Sequence, residues 1–209
     1  MSDCCERYLN DAEEALLLRI ARDSLETFIL KGEHLDLAAY PLTDALREKH
    51  GAFVTLRRSG ALRGCIGYTK NIEALAEAVR DNAINAAARD PRFPPVTVEE
   101  LPELDIEVSA LCPGDTPDSP FLEVRAISEI VIGRDGLYLE QAGPRGGGLL
   151  LPQVPVEQGW DLPAFLAALC RKAGAPERAW ELPGARLYRF SAQVFSERER
   201  DRAANASAA

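Results

Sequence analysis

Apolar residues recur with helical spacing at Leu9, Leu16, Leu17, Ile20 and Phe28, and Gly32 stands where a helix would stop, so a long first helix is predicted over 6–31. After a short helix or turn in YPLTDALREKHG the period changes from helical to alternating. The runs AFVTLRR and ALRGCIGY are joined by Ser59-Gly60, the pattern of a two-residue hairpin. Strict alternation along the second run places Leu62, Gly64, Ile66 and Tyr68 on one face and Ala61, Arg63, Cys65 and Gly67 on the other. A second helix is predicted from Asn71 as N-cap, with Ile72, Leu75, Ala76, Val79, Ala83, Ala86 and Ala87 forming one stripe. Asn82 lies within that stripe, where an unpartnered amide costs about 1 to 3 kcal/mol, so it requires a hydrogen-bond partner. The prolines of RDPRFPPV end the helix and make a stiff extended loop.

Further along, LDIEVSAL alternates as a strand with one buried face. EIVIGRDGLYLEQ reads as a hairpin turning at Arg134-Asp135-Gly136, and LLLPQV as another strand after the flexible turn GPRGGG. A closing helix follows Asp161 as N-cap, with Pro163 in its first turn, Leu162, Phe165, Leu166 and Leu169 as its stripe and Gly174 as its stop. RLYRFSAQVF is a last strand. Hairpin-joined strands with helices grouped between them indicate an α+β fold on a mainly antiparallel sheet with packed helices, in two closely merged lobes. The expected organisation is an extension of the first helix over 1–15, one domain over 16–195, and a flexible tail over 196–209, where SERERDRAANASAA has nothing to bury.

Composition narrows the function classes. The chain has 209 residues, 46% of them hydrophobic and 27% charged, and no apolar run approaches the ~20 residues that cross a bilayer. Its N-terminal segment carries acids where an export signal carries bases, so a cytoplasmic protein is expected. A net charge of -9 argues against nucleic acid as a partner, because such binding draws on clustered cations to release counterions. The five cysteines are odd in number and widely spaced, so free thiols are expected rather than a disulfide framework. With no C-x-x-C, no H-E-x-x-H and only His34 and His50, neither a metal nor a cofactor is expected.

The stretch LRGCIG carries the strongest candidate chemistry. A thiol becomes a nucleophile when a nearby cation or backbone N–H groups lower its pKa, and Arg63 can supply the cation. Gly64 and Gly67 would leave room beside Cys65 for a substrate and can aim N–H groups at an anion. The competing reading is a small buried cysteine between close-packed glycines. Neither histidine stands in a motif relation to Cys65, which leaves Asp90, Glu99 or Glu100 as alternative bases or orienting groups. Asp90 and Arg92 form either a ligand fork or a local ion pair pinning the loop, and Gln153 sits beside a proline at a strand end, facing a site or bridging backbone. Cys4, Cys5, Cys112 and Cys170 are expected to be bystanders.

Several separated strings coincide with one family: GAFVTLRRSGALRGCIG, NAINAAARDPRFPPVTVEELPELDIEVSAL, GRDGLYLE, LLLPQV, GWDLPAFLAALCRKAG and LYRFSAQVF. From about Leu16 to Phe195 the chain resembles the AMMECR-type domain, whose hallmark is LRGCIG, and within it the bacterial branch called AmmeMemoRadiSam system protein A. The resemblance implies a two-lobed α+β fold with an antiparallel sheet, an activity that is not established, and partnership with a Memo-like protein and a radical SAM protein. Family motif positions fall on Arg63, Gly64, Cys65, Ile66, Gly67, Asn82, Asp90, Pro91, Arg92, Phe93, Pro152 and Gln153. On this basis Cys65, Arg63 and Asn82 are the expected catalytic set, as nucleophile, thiolate partner and orienting amide. Gly64, Gly67, Asp90, Arg92 and Gln153 are expected to bind an unknown small molecule. The alternative implied is a non-catalytic module that presents LRGCIG and DPRFPP to partners.

Overall fold

The computed structural model describes residues 7–114, 116, 119–140, 147–200 and 202. The chain divides into two compact units, one formed by 112–192 and the other by the residues up to 111 together with those from 193 on.

The larger unit begins with helix α1 (Asp11–Lys31), shorter than the predicted 6–31. Asn10 starts it by accepting from the N–H groups of Ala12 and Glu13 while Glu13 reaches back to the Asn10 N–H, a capping box that fixes the first turn. Gly32, at φ 72°, ends it in the left-handed region. Helix α2 (Asp44–Arg47) is one turn. Strands β1 (Ala52–Arg58) and β2 (Ala61–Tyr68) form the predicted hairpin, with φ 52° at Ser59 and 83° at Gly60, the left-handed pair such a tight turn demands. Helix α3 (Leu75–Ala88) starts three residues later than expected. Asn71 is not its cap: its side-chain oxygen accepts from the Gly51 N–H instead, and Ile72 is exposed. Strand β3 (Leu104–Leu111) follows a 3-10 turn at Val98–Glu103, and the three strands lie in the order β2-β1-β3, all antiparallel. Leu17, Ile20, Val54, Leu56, Leu75, Val79, Ile106 and Val108 are fully buried between helices and sheet, so one apolar core holds this unit.

In the smaller unit, β4 (Leu122–Glu123), β5 (Asp135–Glu140), β6 (Gly147–Leu150) and the first half of β7 (Arg186–Ser196) pair in the order β4-β7-β5-β6. Helix α4 (Gln153–Glu157) is short, and α5 (Leu162–Ala173) has the predicted cap at Asp161 and stop at Gly174. Leu137, Leu139, Phe165, Leu166 and Leu169 make its core. The expected hairpin at 134–136 is absent. Asp135, fully buried, accepts from the Val131 N–H and from Arg134, so the residues before it coil into turns and only the second apolar run is a strand. LLLPQV is likewise half strand and half helix, since Pro152 caps α4. Most of GPRGGG lies outside the described residues. Among the described residues, no helix is long and apolar enough to cross a membrane. The sheet is antiparallel throughout and the helices pack against it, an α+β fold as the alternation predicts.

Candidate functional site

The geometry around Cys65 begins with an irregularity in β2. Leu62 pairs with Arg57 and Gly64 with Leu56, so Arg63 is the extra residue of a β-bulge. From Gly64 onward the alternation is regular. Gly64, Ile66 and Tyr68 lie opposite Leu56, Val54 and Ala52 of the core face, while Cys65 and Gly67 lie opposite Thr55 and Phe53 on the other face. Leu62, expected on the core face, pairs instead with Arg57 and is exposed.

The two glycines are packing positions and not openings beside the sulfur. A Cβ on Gly64 would stand 2.2 Å from the Ala86 carbonyl oxygen of α3, and one on Gly67 would stand 2.4 Å from the Ala52 carbonyl and the Phe53 ring. No side chain fits at either place, and Gly64 lets α3 approach β2 to backbone contact.

The loop after α3 is tied to this strand by its own polar groups. The Asp90 carboxylate accepts from the Cys65 N–H at 2.9 Å, from the Arg92 N–H at 3.1 Å, and from the Arg92 guanidinium at 2.9 and 2.6 Å. Arg92 also donates to the Cys65 carbonyl at 3.3 Å. Both outward backbone groups of Cys65 are therefore occupied, and Thr55 and Cys65 are left as a non-hydrogen-bonded cross-strand pair with close side chains. Arg63 completes the attachment. Its guanidinium donates twice to Glu100, at 2.7 and 2.9 Å, and to the carbonyls of Pro94 and Pro95. Phe93 lies between the two arginines, its ring centroid 6.0 Å from Arg63 and 5.6 Å from Arg92. The Val96 N–H returns to the Ala87 carbonyl at the end of α3 and closes the loop.

The electrostatics follow from these contacts. The Arg92 guanidinium, with the backbone N–H groups of Cys65 and Arg92, holds the Asp90 carboxyl well below the usual carboxylate range. Arg63 and the Thr97 N–H hold Glu100 at about 2. The Cys65 thiol moves the opposite way. Burial pushes its pKa up, and nearby Glu107 and Asp90 add to that rise, while the Thr55 hydroxyl, donating to Sγ at 3.3 Å, and the Arg92 charge oppose it.

Of the predicted site residues, the structure thus joins Arg63, Gly64, Cys65, Asp90 and Arg92, but in other roles. Arg63 is spent on Glu100 and the loop carbonyls rather than on a thiolate. Asn82 is fully buried on the core side, where its amide donates to the Ala52 carbonyl at 3.2 Å, so a sheet separates it from the Cys65 side chain. Gln153 opens α4 in the other unit. Neither histidine nor Glu99 or Glu100 is hydrogen-bonded to the thiol: His50 packs on Tyr8, and His34 lies 3.9 Å from Asp81. Thr55 and Glu107, which flank the sulfur's face on β1 and β3, were not singled out by the sequence. Counting outward from Ser59-Gly60 puts Val54 opposite Cys65, and only the bulge moves Thr55 there. The expectation of free thiols fails at Cys112, which is disulfide-bonded, whereas Cys65 and Cys170 are free.

A protein of Methanocaldococcus jannaschii is 44% identical over 199 residues, covering 92% of this chain and 94% of its own, and one of Methanothermobacter thermautotrophicus is 45% identical over 193 residues, covering 90% and 96%. The crystal structure of an uncharacterized protein from Pyrococcus horikoshii superposes with a TM-score of 0.78 at 42% identity, over 87% of this chain and 89% of that one. The AMMECR1 family model matches residues 18–195, a span that contains the β2 bulge, the Asp90 loop and most of both units, and the chain belongs to the AMMECR1 family.

Proposed function

We propose that the protein is a recognition module in which LRGCIG seats the DPRFPP loop for presentation to a partner protein. The observation that carries this is the double tie between the Asp90–Arg92 pair and the backbone of Cys65. Each hallmark residue then has a mechanical task. Gly64 admits α3, Arg63 holds the prolines' carbonyls, and the Cys65 backbone anchors Asp90. What is presented is an exposed surface of Pro91, Arg92, Pro94 and Pro95 around a half-buried Phe93, in which Nη1 of Arg92 makes no hydrogen bond among the described residues. Arginine and aromatic side chains on a rigid support are the composition of interface hot spots, and rigidity lowers the entropy lost on binding. The occupant that matches is a protein with an apolar hollow for Phe93 and a carboxylate or carbonyl for Arg92. A Memo-like protein and a radical SAM protein, the partners implied by resemblance to the AmmeMemoRadiSam system protein A branch, are the ones to test first.

The second reading, a Cys65-centred enzyme acting with the same partners, has two observations in its favour: the Thr55 hydroxyl donates to Sγ and the Arg92 charge lies near, and both favour the thiolate. Two measurements separate them. Competitive alkylation across pH, read residue by residue, should show Cys65 labelling no faster than an unstructured thiol at neutral pH, and a hyperreactive Cys65 would overturn the module reading. Titration of the partners by calorimetry should give unchanged affinity for Cys65→Ser and a loss of about tenfold or more for Phe93→Ala and Arg92→Glu. The reverse ranking would leave the loop without a role in recognition.

A further inference from the structure

The charged segment after β7 is built into the larger unit. Residues 197–200 are helical, and Glu197 accepts from Arg22 at 2.9 and 2.5 Å and from the Ile106 N–H at 3.0 Å. Arg22 also donates to the carbonyls of Leu101 and Leu104, so one guanidinium joins α1, β3 and the start of the tail. Between these elements and the hairpin tip lies an open groove of about 840 Å³, lined by Arg22, Asp105, Glu197, Arg198, Arg200 and Arg202 as well as Ser59 and Gly60. In SERERDR acids and bases alternate one for one, and among the described residues of that string Glu197 and the three arginines line the groove while Glu199 does not.

Among the described residues, four guanidinium groups share one groove in a chain of net charge -9, against two carboxylates that are already engaged. Glu197 is taken by Arg22 and Ile106, and Asp105 accepts from the Arg198 N–H at 3.1 Å. Arg200 lies 3.5 Å from Glu14, while Arg198 and Arg202 are exposed and make no ion pair among the described residues. Like charges held close repel, and among the described residues no carboxylate pairs with Arg198 or Arg202. The volume suits a ligand of nucleotide size, and planar guanidinium forks match the oxygens of phosphate better than an ammonium does. A long polyanion is a poorer match, since the chain as a whole carries a net charge of -9.

We propose that this groove binds a small, multiply charged oxyanion of the phosphate class, held by Arg198, Arg200 and Arg202 against the hairpin tip at Ser59-Gly60. The site is independent of the Asp90 loop and of any partner that docks there. Inorganic tripolyphosphate is the probe, titrated into the full chain by calorimetry at about 50 mM and about 500 mM salt. The expected result is saturable one-to-one binding at low salt that weakens at least about tenfold at high salt, and by a similar factor in the Arg198→Gln/Arg202→Gln variant at low salt. Both substituted side chains are exposed, so the fold is expected to be retained, with the circular dichroism melt as the check. Arg186→Glu, in the other unit, controls for total charge and should leave binding unchanged. Absence of saturation at low salt, equal affinity in the double variant, or an equal loss in the Arg186 control would each overturn the proposal.

Discussion

At the scale of single residues, the hallmark strand shows how a side chain's task depends on which atoms surround it. Gly64 is small because a helix backbone occupies the place of a Cβ, 2.2 Å away. Gly64→Ala must push α3 from β2, and overpacking of this kind costs about 1 to 3 kcal/mol. A thermal melt should record a fall of roughly 3 to 9 °C for a chain of this size. Glu100 gives a pH-dependent prediction. Its folded pKa, about 2, lies below the ordinary value of 4.5, so its ion pair with Arg63 stabilises the fold fully above pH 4.5 and is lost as pH falls from there through 2. Urea midpoints measured down that range should fall less steeply in Glu100→Gln than in the parent, because the variant has already lost this titration. Parallel curves would show that the pair is not the acid-sensitive contact.

At the scale of elements, the bulge at Arg63 and the loop after α3 work as one unit. An edge strand normally leaves every second N–H and C=O open to another chain, and here the Asp90–Arg92 pair closes those of Cys65. Asp90→Asn keeps the size of the side chain but loses the charge that holds Arg92, so the amide hydrogens of Arg92 and Phe93, bonded to the Asp90 carboxylate and carbonyl, should exchange about tenfold faster or more while α1 keeps its protection. Hydrogen exchange read by mass spectrometry tests this, and unchanged protection in the loop would mean that the prolines alone hold it. The sequence signals that survived at this scale were the local ones. The glycine stops at Gly32 and Gly174, the Asp161 cap and the Ser59-Gly60 turn each depend on a few neighbouring residues. Asn71 and Asp135 misled because each accepts from a backbone N–H that the predicted element leaves out of account: Asn71 from Gly51, outside the helix, and Asp135 from Val131, within the run read as the hairpin's first strand.

At the scale of the whole molecule, the chain leaves its first large unit at residue 111 and returns to it at 193, so that unit is completed only by the end of β7 and the residues after it. Glu197 receives Arg22 and the Ile106 N–H at that closure, and its removal strands a half-buried guanidinium. Glu197→Ala should therefore lower stability by about 2 to 3 kcal/mol in urea unfolding, whereas Glu199→Ala, whose side chain is exposed, should change it by less than about 0.5 kcal/mol. Hydrophobic period, turn residues and caps, all of which act over a few positions, were enough by themselves to determine an α+β fold on an antiparallel sheet and to place Cys65 on the second strand of a hairpin. Register, and with it the neighbour of Cys65, was decided by the tertiary structure, because one extra residue at Arg63 shifts every later pair by a position. The same holds for the partners of Arg63, Asp90 and Glu197, whose charges find one another only when segments 25 to 175 residues apart pack together.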